Sequence, residues 1–236
     1  MCIRDRGYTV VDAATAVATH LNKVLRENAS DLLGHDEVQQ LLDKLIAKSP
    51  KLVEDLIPAK LPLGALTRTL QGLLNDGVSI RDMRTIVETL SEVSARTQDP
   101  DQLTALVRPR LGRMIVQGLI DEKDTLSVMT LDPGLEQLLH NVLQQHDSGQ
   151  GVVMEPGLAE RLFSALREGS RAVEGSGHNP VLVVSPAVRP WLAKSVRNRV
   201  NGLVVLSYSE IPDDQSVKVI HTVSADPQNP DNTASR

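Results

Sequence analysis

The chain has 236 residues, a formal net charge of −5 and 2% aromatic residues, namely Tyr8, Phe163, Trp191 and Tyr208. An acidic balance with no basic stripe argues against nonspecific nucleic-acid binding, and so few ring faces argue against a single-stranded nucleic-acid groove. The lone Cys2 excludes an intramolecular disulfide and a thiolate zinc cluster. No apolar run approaches the roughly 20 residues of a membrane-spanning helix, and no secretory signal is expected at the start. The expectation is a soluble protein of a reducing cytoplasm, with a core of Leu, Val, Ile and Ala.

In chain order, residues 1–6 show no periodicity and are set aside from the fold as a spurious or foreign start. Residues 8–11 read as a short extended piece. Asp12 is placed to cap a helix whose Val17, Leu21, Val24 and Leu25 form one apolar stripe. From about residue 30 to 119 the pattern is helical with clear punctuation. Asp36 is placed to cap a helix carrying Val38, Leu41, Leu42 and Leu45, which stops before Pro50. Pro58 and Pro62 bracket a turn, and the next stripe, Leu66, Leu70, Leu73 and Leu74, is closed by Asp76-Gly77. Ser79 with Asp82 three positions later resembles a capping box, ahead of Ile80, Met83, Ile86, Val87 and Leu90. Asp99-Pro100 opens a helix through Leu103, Leu106, Val107 and Leu111. This block predicts an all-helical domain with short connections.

Composition then shifts. Residues 126–131 alternate as a half-buried strand would. Asp132-Pro133 caps a helix through Leu135, Leu138, Leu139, Val142 and Leu143; residues 146–153 form a glycine-containing loop. Glu155-Pro156 starts a helix through Leu158, Leu162, Phe163 and Leu166, and residues 170–179 contain the loop Glu-Gly-Ser-Gly-His. The unbroken apolar run 181–184 suits a strand covered on both faces. Ser185-Pro186 then supplies a helix cap, Val188, Leu192 and Val196 form a stripe, and 203–206 is a second strand. The link between the two strands is long enough for a parallel crossover. Residues 216–223 read as a last strand by strict alternation, with Val217, Val219, His221 and Val223 on one side; the polar tail from residue 224 is expected to be disordered. The fold class is therefore α+β and multidomain, an all-helical domain followed by a small α/β domain with a sheet of three or four strands.

No residue pattern specifies catalysis, a cofactor or a metal site. Ser185 occupies the position of a hydrolase nucleophile, but it lacks the flanking glycines of a nucleophile elbow, and a cap role explains it. His140 and His146 stand six apart, and His20, His35, His178 and His221 have no second ligand at a metal-binding spacing. Asp99 and Asp132 precede prolines as caps, with Asp101 nearby; Glu88 and Glu92 read as a solvated face, and Gly175 and Gly177 do not extend to a phosphate-binding pattern. Arg81, Arg84, Arg108, Arg110 and Arg113 carry two readings, capping with solubility or contact with an acidic neighbour. A small α/β enzyme built on the 180–212 crossover would have only Ser185, Ser207, Tyr208 and Ser209 as polar groups. A free-standing helical adaptor is the third class of reading.

Three stretches carry a resemblance: Gly7-Tyr-Thr-Val-Val-Asp-Ala-Ala-Thr-Ala-Val-Ala-Thr-His-Leu21, Val78-Ser-Ile-Arg-Asp-Met-Arg-Thr-Ile-Val-Glu-Thr-Leu90 and Leu206-Ser-Tyr-Ser-Glu-Ile-Pro212. They resemble the C-terminal cytoplasmic region of the FlhA/virulence family of type III protein-export gates, from Gly7 to about Val223. The resemblance implies a noncatalytic part of a gate at the cytoplasmic face of the bacterial inner membrane, flagellar in the first instance and virulence-type as the alternative. Full-length members combine a transmembrane portion with four cytoplasmic domains that form a nine-membered ring. Residues 7–28 would then be a remnant of the preceding cytoplasmic domains, 29–120 the third domain with the ring contacts, and 121–223 the fourth. The implied partners are further copies of the chain, export chaperones with their cargo, the ATPase complex and its stalk, and other membrane proteins of the gate. Nucleic acid is not among them, and the membrane is reached only through the N-terminal portion. By its place in the Val-Asp-Ala-Ala-Thr motif, Thr15 matches a threonine of the chaperone-binding dimple, most of which is absent from this sequence. Arg81 and Arg84 are the expected ring-contact residues.

Overall fold

The computed structural model describes residues 12–120, 125–145 and 154–224. The expectations for 8–11, for the 146–153 loop and for the tail beyond residue 224 lie outside those residues. The chain divides into two compact units, Met1–Thr104 and Ala105–Arg236.

Within the first unit, α1 (Ala13–Glu27) opens on Asp12, whose side chain accepts from the Thr15 backbone N–H. Its apolar stripe forms as expected but is not covered: no residue of α1 is buried, and Val17 is 67% exposed. Helix α2 (His35–Ile46) buries Val38, Leu42 and Leu45. Its cap is Gly34 rather than Asp36. The Glu37 carboxylate reaches back to accept from the Gly34 N–H at 2.9 Å, which leaves Asp36 in the first turn, facing the positive end of the helix dipole. Pro50 does more than stop α2, because it also starts the short α3 (Pro50–Glu54), where its fixed φ and missing N–H suit a first-turn position.

Helix α4 (Leu63–Asn75) places Leu66, Leu70 and Leu73 at 0% exposure. Gly77, at φ +73°, ends it, with Val78 N donating to Leu73 O and Gly77 N to Leu74 O. These two bonds satisfy carbonyls left open by the helix end. Helix α5 (Met83–Val93) starts later than the Ser79 box predicts. Asp82 is itself the cap, accepting from Thr85 N at 3.1 Å, while the Ser79 hydroxyl accepts from Arg81 N. Met83, Ile86, Val87 and Leu90 are buried as expected. Helix α6 spans Pro100–Val107; it ends before Leu111, which lies in a 3-10 turn, Arg108–Leu111.

The second unit holds α7 (Gly112–Gln117), β1 (Thr125–Leu131), α8 (Pro133–Gln145), α9 (Pro156–Gly175), β2 (Val181–Val184), α10 (Arg189–Val196), β3 (Val204–Ser207) and β4 (Ser216–Val223). The strands run in the order β3-β2-β1-β4, every neighbouring pair parallel. The α+β organisation with a four-stranded sheet is thus what the structure has. One face of the sheet packs Met129, Leu131, Leu182, Val184 and Val205 against residues of α8, α9 and α10. The other packs Leu126, Val128, Val181, Val183 and Leu206 against Val116 of α7 and the adjacent Ile115, Leu119 and Ile120.

Four expectations change here. Strand β1 is nearly wholly buried rather than half-buried, because it lies inside the sheet with both faces covered. Helix α9 runs past Leu166 to Gly175, into the first two residues of the expected loop, since Val173 extends the buried stripe of Leu162 and Leu166. Ser185 does not cap α10: its backbone carbonyl accepts from Val188 N and Arg189 N, its hydroxyl makes no hydrogen bond, and the helix begins at Arg189. Strand β4 does not alternate strictly. Val219 pairs with Val128 and His221 with Met129, so Ile220 is an extra residue. A bulge of this kind turns the following side chains over. Val217 and Val219 stay on the α7 face, 44% and 55% exposed, whereas His221 lies against Gly169 of α9 and Val223 is 1% exposed.

Candidate functional site

Thr15 occupies the first turn of α1 and is exposed. Its backbone N–H donates to Asp12 Oδ1 at 2.9 Å and its hydroxyl to Asp12 Oδ2 at 2.6 Å. The Thr15 hydroxyl, then its backbone N–H, hold the Asp12 carboxyl below its ordinary value. A short polar pair therefore marks the N-terminal end of an uncovered apolar stripe. Arg81 and Arg84 are exposed at the start of α5. The Arg84 Nε donates to Glu88 Oε1 at 2.8 Å, one turn on, and that hydrogen bond raises the Arg84 pKa. A surface pair one turn apart contributes little stability and leaves the guanidinium presented to solvent.

The other arginines separate sharply. Arg108 is 0% exposed, with Nε donating to Glu210 Oε1 at 3.0 Å and Nη2 to Oε2 at 2.6 Å. Arg113 makes a similar fork with Asp214 at 3.0 and 3.1 Å, but in solvent; this pair holds the Asp214 carboxyl below its ordinary value. Arg110 is exposed. The contact with an acidic neighbour thus exists for Arg108 and Arg113, and the neighbour is in the same chain. Neither Glu210 nor Asp214 stands out in the sequence. The signal for Glu210 is faint: a glutamate closing the short turn after a buried strand, followed by Ile211.

At the carboxyl ends of the parallel strands, Glu136 accepts from Ser185 N at 2.6 Å and from the Tyr208 hydroxyl at 3.1 Å. Burial, then the Glu136 charge, raise the Tyr208 phenol. Ser207 and Ser209 lie 3.0 Å apart, and Ser207 also donates to Glu210. Glu136 thereby ties α8 to the residues that follow β2 and β3. Among the described residues there is no cluster of three or more His, Cys, Asp or Glu able to hold a metal, and no helix long and apolar enough to cross a membrane.

Comparison with known proteins gives a consistent result. The FHIPEP family matches residues 2–216. The flagellar biosynthesis protein FlhA of Escherichia coli (strain K12) is 45% identical over 218 residues, which cover 92% of this chain and 31% of the relative. FlhA of Salmonella typhimurium is 44% identical over 218 residues, again 92% of this chain and 31% of the relative. The chain therefore spans about a third of the length of these relatives. Among solved structures, nonameric EPEC SctV-C is similar at a TM-score of 0.77 and 28% identity, covering 88% of this chain and 62% of that one. Chlamydia pneumoniae CdsV is similar at a TM-score of 0.80 and 25% identity, covering 89% and 60%. With its fold shared by those proteins and nearly half its residues identical to FlhA, the chain belongs to the FHIPEP family.

Proposed function

We propose that this chain is part of the cytoplasmic portion of a flagellar type III protein-export gate, a ring-forming docking platform with no catalytic step of its own. The observation that carries the reading is the 45% identity to FlhA over 92% of the chain. The flagellar reading is preferred to the virulence one because identity to the EPEC SctV-C structure is 28%. The nonameric state of that relative supports a ring of nine copies. In this reading the helical block 29–120 carries the ring contact, with Arg81 and Arg84 on its exposed surface, and the α/β block 121–223 meets the ATPase complex and its stalk. Thr15 belongs to the chaperone–cargo surface, alongside residues of the full-length gate. The gate as a whole sits at the cytoplasmic face of the inner membrane, beside the other membrane proteins of the apparatus.

The test is a chimera in which residues 7–223 replace the matching region of E. coli FlhA in a strain lacking that protein. Recovered swimming and secretion of hook and filament subunits are expected. A chimera present at normal level that exports nothing would remove the flagellar reading, and export restored only in a virulence gate would replace it with the alternative. A small α/β enzyme is separated by a thermal-shift screen, in which reproducible stabilisation by nucleotides would favour it.

A further inference from the structure

The two faces of the sheet in the second unit are covered unequally. Three helices cover one. The other, formed by Leu126, Val128, Val181, Val183 and Leu206, lies under one short stretch, the 3-10 turn Arg108–Leu111, the six-residue α7 and the residues through Ile120, with Ile211 beside it. A helix of that length has little stability of its own; it is held down by Val116 with Ile115, Leu119 and Ile120, and by a set of polar contacts at its two ends. The Arg108 fork on Glu210 anchors its start. Glu210 is 2% exposed in the turn after β3, accepts from the Ser207 hydroxyl at 3.0 Å, and lies 3.8 Å from the Nε of Arg189 in α10. Gly112 rests on the backbone carbonyl of Glu210, where a Cβ would collide with it. Arg113 pairs with Asp214, and Asn179 Nδ2 reaches Leu119 O at 3.5 Å near the far end.

We propose that residues 108–120 form a strap that opens as one cooperative unit before the sheet beneath it unfolds, and that the buried Arg108–Glu210 pair is its latch. A buried ion pair adds little stability relative to apolar residues of the same size, yet removing one partner is costly because a charge stays behind. Such a pair sets position more than strength. Glu210 is therefore a positioning residue: its carboxylate joins the strap to β3 through Ser207 and to α10 through Arg189. Opening the strap bares an apolar sheet face.

Hydrogen exchange of the full chain, resolved along the sequence, tests this. In the unaltered protein, amides of 108–120 are expected to exchange through an opening that leaves 126–131 and 181–184 protected. Glu210→Gln should raise strap exchange by roughly two orders of magnitude while protection of 181–184 changes much less. If Glu210→Gln does not fold, Gly112→Ala wedges the same contact and Arg113→Ala loosens the same strap more gently; each should shift 108–120 selectively. Strap and sheet exchanging at one rate and moving together in every variant, or a strap indifferent to these changes, would overturn the proposal.

Discussion

Asp12 and Thr15 show how much one capping residue decides. Two hydrogen bonds from Thr15 stabilise the ionised carboxylate, so the folded-state pKa lies below its ordinary 3.8. A carboxyl depressed on folding stabilises the helix above that ordinary value, and the contribution disappears as pH falls through the lowered one. Helicity of residues 13–27, followed by circular dichroism or amide shifts, should therefore decline on acidification below about pH 4. Asp12→Asn keeps an acceptor at the cap but has no proton to take up, so its profile should be flatter; an undiminished acid decline in that variant would show that another group is responsible. Residue types that cap are legible in sequence, and Asp12, Asp82 and Asp132 do accept first-turn N–H groups. Which of several adjacent candidates does so is less legible. At Gly34, Asp82 and Ser185 the choice depends on backbone angles that the chain adopts only once the helix has packed.

At the scale of elements, turn chemistry and periodicity carry separate information. Gly77 sits at φ +73°, and beyond its own chain neighbours nothing lies within 4 Å of the point where a Cβ would stand, so its requirement is conformational and not steric. Gly77→Ala should cost about 1 to 2 kcal/mol, and Gly77→Asn less, because Asn tolerates that region; chemical denaturation measures both. Strand β4 gives a sharper contrast. By simple alternation Val219 and Val223 share a face, yet the extra residue Ile220 separates them. Val219→Asp, at a site 55% exposed, should change stability by no more than about 0.5 kcal/mol. Val223→Asp, at a site 1% exposed, should cost several times more because it buries a charge. Equal effects from the two substitutions would mean that the bulge is absent in solution. The length of α9 is hidden in the sequence for a related reason. Its glycines and serines look like loop punctuation, but Gly169 and Ser170 are buried on the helix face that meets the sheet.

For the whole molecule, the family reading makes exposed charge the natural subject of a test. Arg81 and Arg84 are exposed and stabilise little within the chain, so reversing them should leave folding nearly intact while weakening any contact between copies. Arg81→Glu and Arg84→Glu in the full-length gate are expected to lower ring recovery on detergent extraction, more at low than at high salt, since salt already screens the native attraction. Rings recovered undiminished from both variants would move the contact elsewhere. The sequence by itself determined the kind and order of most elements, the short α3 and α7 excepted, and the parallel β2–β3 crossover, because helix and strand periods and turn residues act over a few neighbouring positions; the family was legible in three stretches of residues. It did not determine which apolar stripes are covered, that β4 lies beside β1, or that Arg108 finds Glu210 102 residues away. Those outcomes depend on which surfaces meet after the chain collapses, and only the tertiary structure brings such distant partners into one low-dielectric interior, where a charge must be paired.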